Sequence, residues 1–201
     1  MKAPVLPPLV QTTTPNKSSR RGAKVRLIFV HRPVGSYAGS IKWLKQTADE
    51  DRRASCHVIQ DGTREATQMV GWNEKAWTQG DFNSVSEGIE TDDICWTGKL
   101  DVEHPGDPRR SDPKVVAALD TAARIVAFRL HKRGLPATWV RGAKLLQDTG
   151  RGFTRHVDGG AIAGGHACPV ALGDTVRWQY FVSLVKRELK RGDFRKEWGR
   201  D

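Results

Sequence analysis

Residues 24–32, KVRLIFVHR, decide how this chain is built. From Val25 to Val30 only Arg26 interrupts the apolar run, and β-branched or aromatic side chains dominate it. A strand with one wet face alternates apolar and polar residues, whereas a continuous run fits a strand buried on both faces. The run stops at His31, directly before Arg32-Pro33-Val34-Gly35. Strand ends that pass into such loops are where α/β folds present working side chains. The plainer reading of His31 is a hydrogen-bonded histidine that closes a strand and does nothing else.

Working outward, SYAGSIKWLKQTAD (36–49) carries Tyr37, Ile41 and Leu44 at helical spacing. SCHVIQDGTREATQMV (55–70) predicts two short strands joined at Asp61-Gly62, and SVSEGIETDDICW (84–96) a further strand centred on Ile89. Asp112 can cap a helix and Pro113 suits its first turn. Val116, Leu119, Ala123, Val126 and Leu130 then recur every three or four residues until Gly134. ATWVRG (137–142) predicts a short strand. A last helix is expected from about Asp174 to Lys190, with Trp178, Phe181, Val182, Val185 and Leu189 on one face and Gly192 beyond it. Strands interleaved with helices predict an α/β fold, a single mixed central β-sheet flanked by α-helices. Residues 1–24 are Pro, Thr, Ser and basic residues without periodicity, read as a flexible or extended arm; 25–191 form the domain and 192–201 a basic tail.

The 201 residues suffice for one full core, and no run approaches the roughly 18 apolar residues of a membrane span. Pro4, Pro7 and Pro8 break the N-terminal stretch, so no secretory signal peptide is expected. Cys56, Cys95 and Cys168 are odd in number and widely spaced, which argues for buried thiols, one of them available to a metal, rather than a disulfide framework. A net charge of +10 suggests a polyanionic partner: nucleic acid, an anionic membrane or a bacterial wall rich in acidic polymers. No nucleic-acid module is recognisable, and the aromatics do not alternate with basic residues as a stacking platform would. No specific nucleic-acid partner and no membrane insertion are therefore expected, and a monomer is.

The segment TRHVDGGAIAGGHACPV (154–170) brings His156, His166 and Cys168 into a glycine-rich stretch. Zinc takes imidazole and thiolate readily, with three protein ligands where it does chemistry and four where it is structural. Glycines 159, 160, 164 and 165 allow the backbone to turn His156 and Cys168 toward each other. No CxxC, HExxH or zinc-finger spacing occurs, so a loop histidine with a buried thiol is the other reading. His31 is the third candidate ligand.

Four blocks together resemble the zinc-dependent N-acetylmuramoyl-L-alanine amidases of the type-2 amidase and peptidoglycan-recognition superfamily, particularly phage endolysins of actinobacterial hosts. They are LIFVH (27–31), ASCHVIQDGTREATQMVGWNEKAWTQGDFN (54–83), SEGIE (86–90) and GFTRHVDGG…GGHACP (152–169). The likeness runs from about residue 25 to 188. It implies zinc held by His31, His156 and Cys168, Glu90 as the proton-transfer carboxylate, and His166 beside the developing oxyanion. It implies the amidase-2 fold and, as substrate, the amide between N-acetylmuramic acid and L-alanine in peptidoglycan. A phage lysin would wait in the host cytoplasm until its release to the wall. The basic arm and tail are then read as attraction to anionic wall polymers, against nucleic-acid binding or mere solubility. Two departures stand out: Thr78 and Val58 replace a histidine and a tyrosine common in the family. Glu87 stands where isoleucine is usual, and on a strand Glu87 and Glu90 face opposite sides, so only one can point at the metal. The competing readings are a silent peptidoglycan-binding module, against which Cys168 argues, and a nucleic-acid-binding protein with a structural zinc, for which no fourth ligand is found.

Of the remaining residues, His57 is read as a structural histidine rather than a ligand, and Cys56 and Cys95 as core thiols. Trp43 and Trp178 are placed in the core, and Trp77 in either core or groove. Asp158 either orients a ligand imidazole or closes a turn. His104 is expected in an exposed loop and His131 in the last turn of its helix.

Overall fold

A computed structural model describes residues 6–33, 35–46, 54–170, 175–192 and 194. Its strands are β1 (Leu9–Gln11), β2 (Lys17–Ser19), β3 (Leu27–His31), β4 (Val58–Asp61), β5 (Glu65–Gln68), β6 (Glu74–Ala76), β7 (Ser86–Glu90) and β8 (Gly152–Arg155). The helices are α1 (Tyr37–Leu44), α2 (Ile94–Thr97), α3 (Pro113–Arg133) and α4 (Thr175–Arg191). Six strands form one mixed sheet in the order β1-β5-β4-β7-β3-β8, with β2 and β6 as a separate antiparallel pair. β3 runs parallel to both neighbours and all five of its residues are buried, as its continuous apolar run requires.

Side chains of β3 alternate across the sheet. Ile28 and Val30 join a core with Leu119, Phe128, Trp178 and Phe181 beneath α3 and α4. Leu27 and Phe29 pack on the opposite face with Phe82, Val140 and Leu145. Asp112 accepts the backbone N–H of Lys114 (2.8 Å) and Gly134 closes α3 at φ 59°, the caps expected of Asp and Gly there. A buried ion pair, Arg124 to Glu188 at 2.9 Å, ties α3 to α4.

Several expectations are refined or corrected. The arm, read as flexible or extended, is extended over two short stretches: β1 lies in the sheet beside β5, and β2 pairs with β6. Residues 137–142 form no strand, only a bridge of Trp139 to Phe153, because Pro136 precedes the segment and Gly142 turns away at φ 59°. The strand expected over 84–96 ends at Glu90, and Ile94–Thr97 turn into α2. Trp43 is not a core residue; it is 46% exposed. Asp174, the expected start of the last helix, lies outside the described residues, as does the tail beyond Phe194.

Candidate metal centre

His31 ends β3 and His156 directly follows the neighbouring β8, so two parallel strands deliver two imidazoles to one edge of the sheet. From His156 the chain turns through a 3-10 segment to Ala163, then through Gly164 and Gly165 at φ 100° and 74°, conformations open to glycine. The loop returns Cys168 to its start, where the Val157 N–H donates to the Cys168 carbonyl at 2.9 Å.

Three donor atoms converge. His31 Nδ1 lies 3.0 Å from His156 Nδ1, which lies 3.3 Å from Cys168 Sγ; the third edge is 3.8 Å. Tetrahedral zinc with ordinary Zn–N and Zn–S bonds sets such edges at roughly 3.3–3.6 Å. His156 Nε2 sits 2.6 Å from the Ala163 carbonyl and donates to it, which leaves the Nδ1 lone pair for a metal. Burial lowers both histidine pKa values, helped at His31 by the neighbouring His156, so both imidazoles are neutral as ligation requires. Burial pushes the Cys168 thiol up to about 12, an effect a divalent cation reverses outright. Two neutral imidazoles and a thiol, aimed at one point, fit zinc.

Glu90 pairs in register with His31 across β7 and β3, on the same face. Its Oε2 is buried without a hydrogen-bond partner, and burial raises its pKa to about 8. Glu87 points to the other face, where Arg129 and Arg133 bind it. Of the two carboxylates, Glu90 is therefore the one that faces the centre. His166 is exposed at the mouth, its ring 5.0 Å from that of His156. A cavity of about 810 Å³ opens over the centre, walled by Trp43, Leu44, Ser55 and Thr78 as well as the ligands, Glu90 and His166. Trp43 thus faces this groove, because α1 turns Ser40 and Leu44 inward and leaves Trp43 on its outer shoulder.

Other candidates lie elsewhere. His57 is buried away from the triad, its Nδ1 accepting the Gly88 N–H at 3.1 Å and its ring stacked on Trp72. Asp158 binds Arg155 (2.7 Å) and Trp139 Nε1 (2.8 Å), not a ligand imidazole. Trp77 donates to Ser18 Oγ at 3.0 Å beside β2 and does not wall the groove. Cys56 and Cys95 are buried, and His104 is exposed in its loop.

Gln79 escapes a reading of the sequence. It is fully buried, donates to Ser86 Oγ, and lies against His31, raising its basicity. Among the described residues, His31 Nε2 and Gln79 Oε1 are both buried without a hydrogen-bond partner. The signal is Gly88: a Cβ there would stand 2.9 Å from Gln79 Oε1, so the strand glycine admits this side chain. Gln79→Ala is expected to weaken zinc affinity about 10–100-fold, as removal of such outer partners does, measured by competition with a chromophoric chelator. Unchanged affinity would remove Gln79 from the centre.

The class defined here is an α/β domain with a His-His-Cys triangle, its imidazoles buried and its thiol half-buried, at the carboxyl ends of parallel strands, beside a carboxylate oxygen without a hydrogen-bond partner among the described residues. The family model for Amidase_2, N-acetylmuramoyl-L-alanine amidase, matches residues 21–171, and the chain belongs to this family. Among solved structures it is similar to Staphylococcus aureus hydrolase AmiA in complex with its ligand (TM-score 0.64, 16% identity, covering 94% of this chain and 87% of that one). It is also similar to the PlyG catalytic domain (0.58, 16%, 90% and 94%) and to an AmpD derivative (0.56, 15%, 92% and 98%). At such identities these share the fold. No curated protein matches the sequence. Among the described residues, no helix is long and apolar enough to cross a membrane.

Proposed function

We propose that this chain is a zinc-dependent amidase that cuts the amide between the lactyl group of N-acetylmuramic acid and L-alanine in peptidoglycan. The observation that carries this reading is the convergence of His31 Nδ1, His156 Nδ1 and Cys168 Sγ under a groove, in a chain of the amidase family. Zinc held by these three residues would supply an acidified water, its pKa brought toward about 7, and polarisation of the scissile carbonyl.

The chain's own residues do the rest. Glu90 stands beside the ligands with a free oxygen, placed to take a proton from water and hand it to the leaving amine of L-alanine. Burial raises its pKa to about 8, and a divalent cation beside it would draw that value back toward neutrality, where one group can both accept and donate a proton. His166, at the mouth, is placed to donate to the tetrahedral oxyanion, a contribution of roughly 3–4 kcal/mol in other acyl-transfer enzymes. Trp43 offers an exposed ring face to the substrate along the groove wall.

The role of a phage lysin, monomeric and held in the host cytoplasm until released to the wall, rests on the likeness to endolysin sequences and on the +10 charge suited to anionic wall polymers. Digestion of purified peptidoglycan tests the reaction. New amino termini on L-alanine without new reducing sugar ends are expected; reducing ends alone, or no release by the zinc-loaded chain, would overturn it.

A further inference from the structure

At the opposite end of the same strands lies a second cavity, of about 790 Å³. Its walls are the segment 19–26 that leads into β3, Val85 before β7, Arg151 before β8, and the end of α3 at Lys132 and Arg133. Four residues of β3, Leu27 to Val30, lie between its Arg26 and His31, a rise of roughly 16 Å along the strand.

Seven lining residues are Arg or Lys and one, Asp148, is acidic. Some of these cations build the wall. Arg20 donates to the Asn83 and Ser84 carbonyls (3.3 and 2.9 Å), and Arg26 to those of Gly150 and Leu145 (3.0 and 2.8 Å). Carbonyls satisfy their N–H groups but leave the charge in place, and Nε of both arginines is buried without a partner. Arg20 is held down to about 10 by burial, with Arg133 and Arg129 adding to the effect against Glu87.

Arg21 and Lys24 are exposed, and neither side chain has a partner among the described residues. Arg21 also sits at φ 51°, a left-handed conformation that strains a side-chain-bearing residue. Its N–H donates to Ser19 Oγ at 3.0 Å, fixing the turn. Crowded like charge and a strained arginine both cost stability, and the isolated chain shows no return for either.

We infer that this cavity binds a phosphodiester-linked polyanion of the cell wall, through Arg21 and Lys24 at its mouth and the arginines behind them. Arginine forks match phosphate oxygens bidentately. The cavity is larger than one phosphate needs, and its cations come from separate segments, so a chain of phosphates can engage several of them. The choice of a wall polymer rests on the amidase reading. Because the two cavities lie at opposite ends of the strands, the anionic chain and the peptidoglycan can be held together, raising the effective concentration of substrate.

The test compares Arg21→Glu/Lys24→Glu with Lys114→Glu/Lys190→Glu, which changes exposed lysines elsewhere by the same net charge. Each is cosedimented with purified walls over a range of salt, before and after hydrofluoric acid strips phosphodiester-linked polymers. A loss of about 10-fold or more in retention by the cavity variant alone is expected, with a salt dependence shallower by about two phosphate contacts. Stripping the walls should abolish the difference. Arg21→Gly should lower retention while keeping or raising the melting temperature, since glycine accepts φ 51°. Equal losses in the cavity and control variants, full retention on stripped walls, or tighter binding to duplex DNA than to the wall would overturn the inference. Hydrolysis of a soluble muropeptide should be unchanged in all variants; its absence in the unaltered chain would count against the amidase reading instead.

Discussion

Glu90→Ala is expected to keep its metal and to lose amide cleavage by about 10²–10⁴-fold, the usual worth of a placed general acid–base group. The residue sits in register with His31 but supplies no atom to the triangle of Nδ1, Nδ1 and Sγ, so its removal leaves the ligands intact. Cys168→Ser should behave differently, losing zinc and activity together, because a hydroxyl replaces the soft thiolate. Elemental analysis and rate measured on the same samples separate the two. A fully active Glu90→Ala chain would refute the assignment of Glu90 as base.

Glu87→Ala is expected to cost about 3–5 kcal/mol of stability, the price of stranding a buried charge. Glu87 is fully buried and accepts both Arg129 Nε (2.9 Å) and Nη2 (2.8 Å), while Arg133 Nε adds a third bond at 2.8 Å. Arg129 is itself buried, its guanidinium 3.7 Å from the Trp72 ring, and cannot turn to water when the carboxylate goes. Urea unfolding measures the loss, and a midpoint shift under about 1 kcal/mol would show that water reaches Arg129 after all.

The same cluster sets an acid limit. Burial alone would raise the Glu87 pKa, but the charge and hydrogen bonds of Arg129 outweigh it and hold the group at about 2. A carboxylate depressed from about 4.5 contributes stability above that pH and loses it as pH falls toward 2. His57, driven to about 3 chiefly by burial, acts in the same direction: below about 6.5 the unfolded chain takes up a proton that the native chain refuses. Stability should therefore fall from about pH 6.5 downward, in two overlapping stages.

Much of the fold was legible in the sequence, because its cues were local and strong. The continuous run before His31 could belong only to an inner strand, and Asp112 and Gly134 framed α3 by their capping chemistry. The opposite faces of Glu87 and Glu90 followed from the two-residue period of a strand. What escaped depends on partners distant in the chain. Trp43 shares the helical spacing of core residues, yet which shoulder of α1 meets the sheet and which meets the groove is set by packing against Cys56, Ile59 and Met69. Residues 137–142 have strand composition but reach β8 at one bridge only. Gln79 matters through Gly88 and His31, and neither is near it in sequence. The basic charge was read into arm and tail; Arg20, Arg21 and Lys24 of the arm do line the second cavity, but Arg26, Lys132, Arg133 and Arg151 join them there from segments the reading did not connect.

The most direct test of the central claim is metal content and amide cleavage on one preparation, with and without chelator. About one zinc per chain, and release of L-alanine amino termini that chelator abolishes and added zinc restores, is the result predicted. Cleavage by a metal-free chain, or a chain that takes up no zinc at all, would contradict it.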